Sequence, residues 1–296
     1  MKKILILGST GMLGMTVSKL LISELTNSEI YLTYTSEDKI NILKKKLHMT
    51  DSSKLIKFNI LKDNIFDLPN DFDIVINCIG IIKPFIDEQN SSSLERSIIV
   101  NSKFPFDISN HFNSSSIIQI ATDCVFSGIT GNYDEESSHD PIDVYGKTKS
   151  LGEVISDNFF NLRCSIIGHE LSSSNSLLEW FLSQKKNSNI NGFVNHTWNG
   201  LTTLTYSKLL LSIIKNKINI PNKIHLIPKN KVNKFQLIQI FRKYSNRDDI
   251  KVNEFYANVD CHRTLKTLYQ DINNEIWEKS IYQKLLTIEE MVSEIL

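Results

Sequence analysis

Short apolar runs separated by segments of helical period dominate the first half of the chain. Ile4-Leu5-Ile6-Leu7 is an unbroken apolar run of the kind seen in a strand covered on both faces, and Met15 to about Leu25 follows with helical spacing. Glu29 to Tyr34, Leu55 to Ile60, Asp73 to Cys78 and Ile117 to Ala121 repeat the strand pattern, while Ser91 to Phe112 predicts one long helix. This alternation predicts an α/β fold with a doubly wound parallel sheet. After about Ser165 the pattern changes. Leu177 to Leu182, Tyr206 to Lys215, Asn233 to Tyr244 and Thr287 to Leu296 read as helices, Lys223 to Ile227 as a short strand, and Gly192 to Thr203 as a loop-rich segment. Two domains are expected: a Rossmann domain over 1–165 and a smaller carboxyl-terminal α/β substrate lobe over 166–296, interleaved with the first, with the site in the crevice between them.

The first apolar run leads into Gly8-Ser9-Thr10-Gly11-Met12-Leu13-Gly14 and then directly into helix. Strand, glycine turn and helix together make a phosphate-binding context. Gly8 permits the tight turn, Gly11 lets backbone amides approach a pyrophosphate, and Gly14 lets the helix sit close to the strand. A dinucleotide site is expected here, with Thr10, Met12 and Leu13 supplying neighbouring contacts. The second strand ends at Thr35-Ser36 with no acid at its tip. An NAD site usually has a carboxylate there for the ribose hydroxyls, and that carboxylate repels a 2′-phosphate. Glu37 and Asp38 are explained by a helix start that Ser36 caps. The expected cofactor is therefore NADPH, with Thr35, Ser36 and Lys39 toward the phosphate and NADH as the alternative. Asn59 and Ile60 would end near the adenine, and Cys78, Ile79 and Gly80 near the middle of the cofactor.

The chemistry is expected from two later stretches. Ala121-Thr122-Asp123-Cys124-Val125-Phe126-Ser127-Gly128 places a hydroxyl, Thr122, where a buried strand ends. Tyr145 and Lys149 are four apart, on one face of a helix. A phenol titrates near pH ~10 and is a poor acid or base until a cation stabilises its anion, which Lys149 would do. A Thr hydroxyl can donate to a carbonyl oxygen as charge develops on it. Taken alone, Tyr-x-x-x-Lys marks any amphipathic helix with a tyrosine on its flank; the glycine loop makes the trio fit carbonyl reduction or its reverse. Asn101 lies mid-helix, either exposed or facing this site. Trp198 would either stack on a base or sugar or plug the lobe against the core.

Composition narrows the partners. The chain has 33 basic and 33 acidic side chains in 296 residues, so no net charge draws it to nucleic acid or an anionic membrane. Cys78, Cys124, Cys164 and Cys261 are widely spaced, and His48, His111, His139, His169, His196, His225 and His262 show no ligand spacing, so neither disulfides nor a metal site is expected. Met1-Lys2-Lys3 and the run after it imitate a signal peptide, but Gly8 to Gly11 break the run and no cleavage site follows. The expectation is a cytoplasmic protein that does not enter a membrane.

Gly8-x-x-Gly11-x-x-Gly14, Thr122-Asp123-x-Val125-Phe126-x-Gly128 and Tyr145-Gly146-Lys147-Thr148-Lys149-x-x-Gly152-Glu153 resemble the extended short-chain dehydrogenase/reductase superfamily, and within it the dTDP-4-dehydrorhamnose reductases. The likeness is strong over about the first 170 residues and includes Asn77-Cys78, Asn101, Tyr133-x-Glu135 and Leu162-Arg163-x-Ser165; beyond them Gly200-Leu201-Thr202-Thr203 and Arg263-Thr264-Leu265 echo it. The resemblance implies that Tyr145 protonates the alkoxide formed when hydride reaches C4 of a 4-keto-6-deoxy sugar. It implies that Lys149 holds the nicotinamide ribose and lowers the Tyr145 pKa, that Thr122 bonds the keto oxygen, and that Asn101 supports the Lys149 proton relay. It assigns Asp123, Val125, Phe126, Thr202 and Thr203 to the sugar nucleotide, with Lys83 toward its diphosphate or merely solvated. The partner implied is a nucleotide-sugar substrate in deoxysugar and surface polysaccharide synthesis, and a homodimer is compatible with it.

Cys124 stands where the family usually has an aromatic residue, and Ile79 to Pro84 differ from its small, hydroxyl-rich stretch, which points to a different sugar. A dehydratase is disfavoured because Asp123-Cys124 replaces the Asp-Glu pair that water elimination needs. Two alternatives stay open: a C4 epimerase, which uses the same trio, and a cofactor-binding regulatory subunit resembling the partner of methionine adenosyltransferase.

Overall fold

The computed structural model describes residues 1–47, 54–171 and 174–296, so His48 lies outside the described residues. They form two compact units: one of 1–125, 141–162 and 220–224, the other of 126–140, 163–219 and 225–296. The chain thus crosses between the units several times.

Unit 1 alternates strand and helix: β1 Lys2–Leu7, α1 Met12–Glu24, β2 Ser28–Tyr34, α2 Glu37–Leu47, β3 Lys54–Lys57 and β4 Ile74–Asn77. There follow α3 Ser91–Ile98, a π turn Ile99–Lys103, α4 Phe104–His111, β5 Ser116–Ala121, α5 Val144–Leu151 and β6 Phe159–Arg163, whose last residue is counted with unit 2. The sheet order is β3-β2-β1-β4-β5-β6, completed by a late strand after β6, and the pairs from β3 to β5 are parallel. Strand order reverses between β1 and β4. In open α/β sheets a ligand binds at such a switch point, beyond the carboxyl ends of the strands. β1 is apolar on both faces because both are covered: Leu5 and Leu7 join Phe58, Val75, Phe104, Ile108, Ile117 and Phe159 in one core cluster.

The helix expected over 91–112 runs continuously from Ser91 to His111 but carries a π turn at 99–103, and Pro105 accounts for it. A proline has no N–H to return to the carbonyl four residues back, here that of Asn101, and its ring crowds that carbonyl. The backbone answers with a π turn in which the Phe104 N–H reaches Ile99 O. The Asn101 carbonyl lies against Gly152.

Unit 2 holds β7 Ile166–Ile167, α6 Leu177–Leu182, β8 Asn189–Phe193, β9 His196–Trp198, β10 Leu201–Thr202 and α7 Thr203–Asn216. The strand that completes the large sheet is β11 Lys223–His225, with His225 in unit 2; then come β12 Val232–Asn233, α8 Lys234–Tyr244, β13 Lys251–Phe255, β14 Cys261–His262, α9 Gln270–Glu278 and α10 Ile288–Ser293. The segment read as loop-rich, 192–203, in fact carries strands. β8 pairs with β13, β9 with both β12 and β14, and β10 with β7. Their partners are 30 or more residues away and their own sequence is poor in apolar residues, so local pattern carries no strand signal. Phe181, Leu209, Leu210, Leu237, Phe241, Trp277 and Met291 form a fully buried core.

Candidate active site

The glycine loop is held at one end by β2. Thr33 Oγ1 accepts from the Gly8 N–H at 2.9 Å, and Ser9 Oγ donates to Thr33 O at 2.8 Å. Gly8 has φ +79°, a left-handed conformation that glycine adopts without strain. A Cβ at Gly14 would stand 2.1 Å from the Gly8 carbonyl oxygen, so only glycine lets α1 approach β1 this closely. Gly11 is the N-cap of α1 and offers no side chain to the first helical N–H groups, which leaves them for an anion. Gly8 also lies against Ile79 of the loop after β4, so two expected cofactor-lining segments meet; Cys78 and Gly80 flank that contact. Thr10, Met12 and Thr35 keep some exposure, whereas Leu13 is buried in the α1 packing. Glu37 is turned to the Tyr34 hydroxyl at 3.1 Å and to Lys57 at 3.6 Å, and Ser36 Oγ lies 3.5 Å from the Lys39 N–H. Asn59 ties its own turn, its side chain accepting from the Leu61 N–H at 3.0 Å with Ile60 between them.

The predicted trio comes together within unit 1. β5 delivers Thr122 to its carboxyl end, and Asp123 to Val125 then turn away in one 3₁₀ turn. Helix α5 starts at Asp143, whose carboxylate accepts from the Gly146 N–H at 2.8 Å. A Cβ at Gly146 would lie 2.2 Å from the Cys124 carbonyl oxygen, so this glycine lets α5 lie on the 123–125 turn and sets Tyr145 beside Thr122. The Thr122 hydroxyl donates to Asp123 Oδ1 at 3.3 Å and stands close enough to the Tyr145 phenol to pull its pKa downward. One turn on, the buried Lys149 ammonium donates to Ile120 O at 3.0 Å. Burial pulls its pKa down to about 8, with the Glu153 charge acting the other way.

The phenol differs from expectation. Burial pushes the Tyr145 pKa well up, and the nearby acidic groups Cys124, Asp123 and Asp143 add to the rise, outweighing the downward pull of Thr122. In this state Tyr145 is held protonated instead of being poised as a phenolate by Lys149. Cys78, at the sheet edge, has its thiol pushed up to about 12 by desolvation, so it is no nucleophile.

Asn101 is buried and faces inward. Its Oδ1 accepts from the Ile81 N–H at 2.8 Å, and its Nδ2 donates to Ile81 O at 2.9 Å and to Thr148 Oγ1 at 3.1 Å. It therefore joins the loop after β4 to α5.

Several residues expected at the substrate are buried or already paired within their own unit. Val125 and Phe126 have no exposed surface; Phe126 stacks on Tyr133 with ring centroids 4.3 Å apart, and the Arg163 guanidinium lies over its ring. Thr202 caps α7 through the Thr205 N–H at 3.1 Å, and Thr203 packs on Gly168, both buried. Trp198 is buried under Lys234, as a plug and not an open stacking platform. Lys83, whose side chain is largely exposed, pairs with Asp143 at 3.0 Å. Asp123 is buried beside Thr122. In each case an apolar, capping or pairing role satisfies the residue within its own unit. Sequence reading missed Gln119, a buried amide in the otherwise apolar β5 run; that isolated polar residue was the signal available.

Among the described residues no group of His, Cys, Asp or Glu could hold a metal ion, and no helix is long and apolar enough to cross a membrane.

A family model described as the RmlD substrate binding domain matches residues 1–294. No curated protein matches the sequence. Among solved structures, a dTDP-4-dehydrorhamnose reductase from Clostridium acetobutylicum is similar at 19% identity and a TM-score of 0.73, over 99% of this chain and 98% of that one. A dTDP-4-dehydrorhamnose reductase from Bacillus anthracis in complex with NADP gives 16% identity and a TM-score of 0.71, over 100% and 99%. The UDP-glucuronic acid 4-epimerase from Bacillus cereus in complex with UDP-glucuronic acid and NAD gives 17% and 0.76, over 99% and 97%. At such identities these likenesses speak for the Rossmann-type fold. The family match itself runs through both units and takes in the glycine loop as well as the Thr122, Tyr145 and Lys149 arrangement, so the chain belongs to the RmlD substrate binding domain family.

Proposed function

We propose that this chain uses NADPH to reduce the C4 keto group of a nucleotide-activated 4-keto-6-deoxyhexose, a step in deoxysugar and surface polysaccharide synthesis. The observation that carries the reading is geometric: Gly146 packs α5 on the turn after Thr122, which sets the Tyr145 phenol beside the Thr122 hydroxyl and one helical turn from the buried Lys149 ammonium. A dinucleotide fits the residues present. The uncapped start of α1 and the space kept open by Gly8, Gly11 and Gly14 suit a pyrophosphate, and Ile79 and Gly80 would border its nicotinamide half. Glu37 is engaged by Tyr34 and Lys57, and Thr35, Ser36 and Lys39 would meet a 2′-phosphate. The Bacillus anthracis relative, crystallised with NADP, supports the same choice.

When bound, NADPH would supply hydride to the carbonyl carbon. Thr122 would donate a hydrogen bond to the carbonyl oxygen as negative charge develops on it, and Tyr145 would deliver its proton to that oxygen. A phenol held above its ordinary pKa keeps that proton until an alkoxide, a stronger base, draws it off. Lys149, still mostly protonated at neutral pH with a pKa of about 8, would then stabilise the phenolate left behind. Asn101 would keep the loop after β4 at a fixed distance from α5.

A C4 epimerase would use the same trio, with Tyr145 as a base in its first half, so net consumption of cofactor is what separates the two readings. The test follows NADPH and NADH consumption with a panel of 4-keto-6-deoxy sugar nucleotides. We expect the wild type to consume NADPH and Tyr145→Phe to keep cofactor affinity but lose roughly 10²–10⁴-fold in turnover. Undiminished reduction by Tyr145→Phe would sink its role. Isomerised product without net cofactor use would make the protein an epimerase, and cofactor binding with neither reaction would make it a regulatory subunit.

A further inference from the structure

A buried line of side-chain amides crosses three adjacent strands of unit 1. Asn77 on β4, Gln119 on β5 and Asn161 on β6 are each 2% exposed or less, and Asn77 and Gln119 are direct register partners. A buried amide is costly unless its donors and acceptors are used. These are used in one direction. The Ile79 N–H donates to Asn77 Oδ1 at 3.1 Å, and Asn77 Nδ2 donates to Gln119 Oε1 at 2.9 Å. Gln119 Nε2 donates to Gly152 O at 2.8 Å and more weakly to Asn161 Oδ1 at 3.3 Å, while Asn161 Nδ2 donates to Val154 O at 2.8 Å.

The two ends of the first part of this line matter. Ile79 opens the loop expected to border the cofactor, and Gly152 is the C-cap of the helix that carries Tyr145 and Lys149. A second polar path joins the same two elements, because Asn101 holds Ile81 on one side and Thr148 of α5 on the other. Gly152 lies so close to the Asn101 carbonyl that a Cβ there would be 1.9 Å from its oxygen. The contacts therefore close a ring: Ile79, Asn77, Gln119, Gly152, α5, Thr148, Asn101, Ile81. Asn161 stands outside it.

We infer that Gln119 is a positioning residue that fixes α5 against the 79–81 loop, so that Tyr145 and Lys149 meet the cofactor at one set distance. The inference rests on the reading of these two elements as walls of the cofactor site. Hydrogen bonds behind first-contact groups commonly change affinity or rate by about 10- to 100-fold when removed.

The test uses the full chain and calorimetric titration with NADPH, which needs no substrate. Gln119→Met keeps the side-chain length and removes every bond of the ring at that point. We expect its NADPH Kd to rise about ten-fold and kcat, where reduction is observed, to fall further than KM changes. Asn161→Leu is the comparison: it also empties a buried amide, lowers the melting temperature similarly, and should leave the Kd within about two-fold of wild type because the ring is intact. Should Gln119→Met not fold, Thr148→Val, which is isosteric and cuts the other arm, carries the same expectation. Wild-type affinity in Gln119→Met or Thr148→Val, or an equal loss in Asn161→Leu, overturns the inference. A wild type that binds NADPH but reduces no sugar nucleotide overturns the proposed reaction and leaves the role of Gln119 decided by the Kd.

Discussion

Replacing Lys149 by Met tests the electrostatics of the site without reference to any substrate. Burial lowers the ammonium pKa from 10.5 to about 8. A difference of about 2.5 in pKa is worth about 3 kcal/mol between folded and unfolded chains. The sign follows from the protons bound. Below the folded value both states carry the charge, and the folded state bears its desolvation. Between the folded value of about 8 and the unfolded value of 10.5 the unfolded chain holds more protons, so stability contributed by this residue rises with pH. Above 10.5 both states are neutral and the gain is complete. Lys149→Met has no such dependence. Subtracting its unfolding free energy from that of the wild type cancels the other titrating groups, and the remainder should climb by about 3 kcal/mol across that window. Urea unfolding at a series of pH values measures it, followed by circular dichroism because Trp180, Trp198 and Trp277 all belong to unit 2. A difference that stays flat, or falls with pH, would show that the ammonium is solvated and would remove the buried cation from the argument.

Gly146→Ala would drive a methyl to 2.2 Å from the Cys124 carbonyl oxygen and 2.7 Å from Pro141 Cβ. We expect a loss of about 1–3 kcal/mol and, because α5 must back away from Thr122, a fall in turnover at unchanged expression; unaltered thermal unfolding would refute the close approach. Glu135 is buried and accepts from His225 N at 2.8 Å, Thr267 Oγ1 at 2.6 Å and Leu268 N at 2.9 Å. Glu135→Leu orphans two backbone N–H groups and should destabilise unit 2 by about 2–6 kcal/mol in tryptophan-monitored unfolding, with Glu135→Gln losing less because one acceptor oxygen remains. Equal stability of Leu and Gln variants would refute this accounting.

The Rossmann half was legible because its signals are local. An apolar run such as Ile4 to Leu7 can be satisfied only by burial on both faces, and Gly8, Gly11 and Gly14 have no better use than a turn beneath a helix start. The placement of Thr122 at a strand end and of Tyr145 and Lys149 one turn apart on a helix was legible as well. The helix over 91–112 was legible as an element but not in its interior. Pro105 announced a disturbance, yet that the backbone would resolve it as a π turn, with the Asn101 carbonyl beside Gly152, depends on a segment some fifty residues on.

What only the tertiary structure decided is where side chains of ambiguous chemistry were spent. Lys83 could serve a phosphate or an ion pair, and Asp143 at the start of α5 takes it. Phe126 and Trp198 could stack on a ligand or fill a core, and Tyr133, Arg163 and Lys234 close over them. The strands of 189–202 exist because β12, β13 and β14 arrive to pair with them. Gln119 marked itself in the sequence only as a lone amide among isoleucines; its partners on β4 and after α5 come from 42 and 33 residues away. Backbone period and glycine placement act over a few residues and are fixed by the order of the chain. The satisfaction of side chains such as Lys83 and Gln119 depends on whichever group the fold brings within about 3 Å of them, and no short stretch of sequence around them contains that partner.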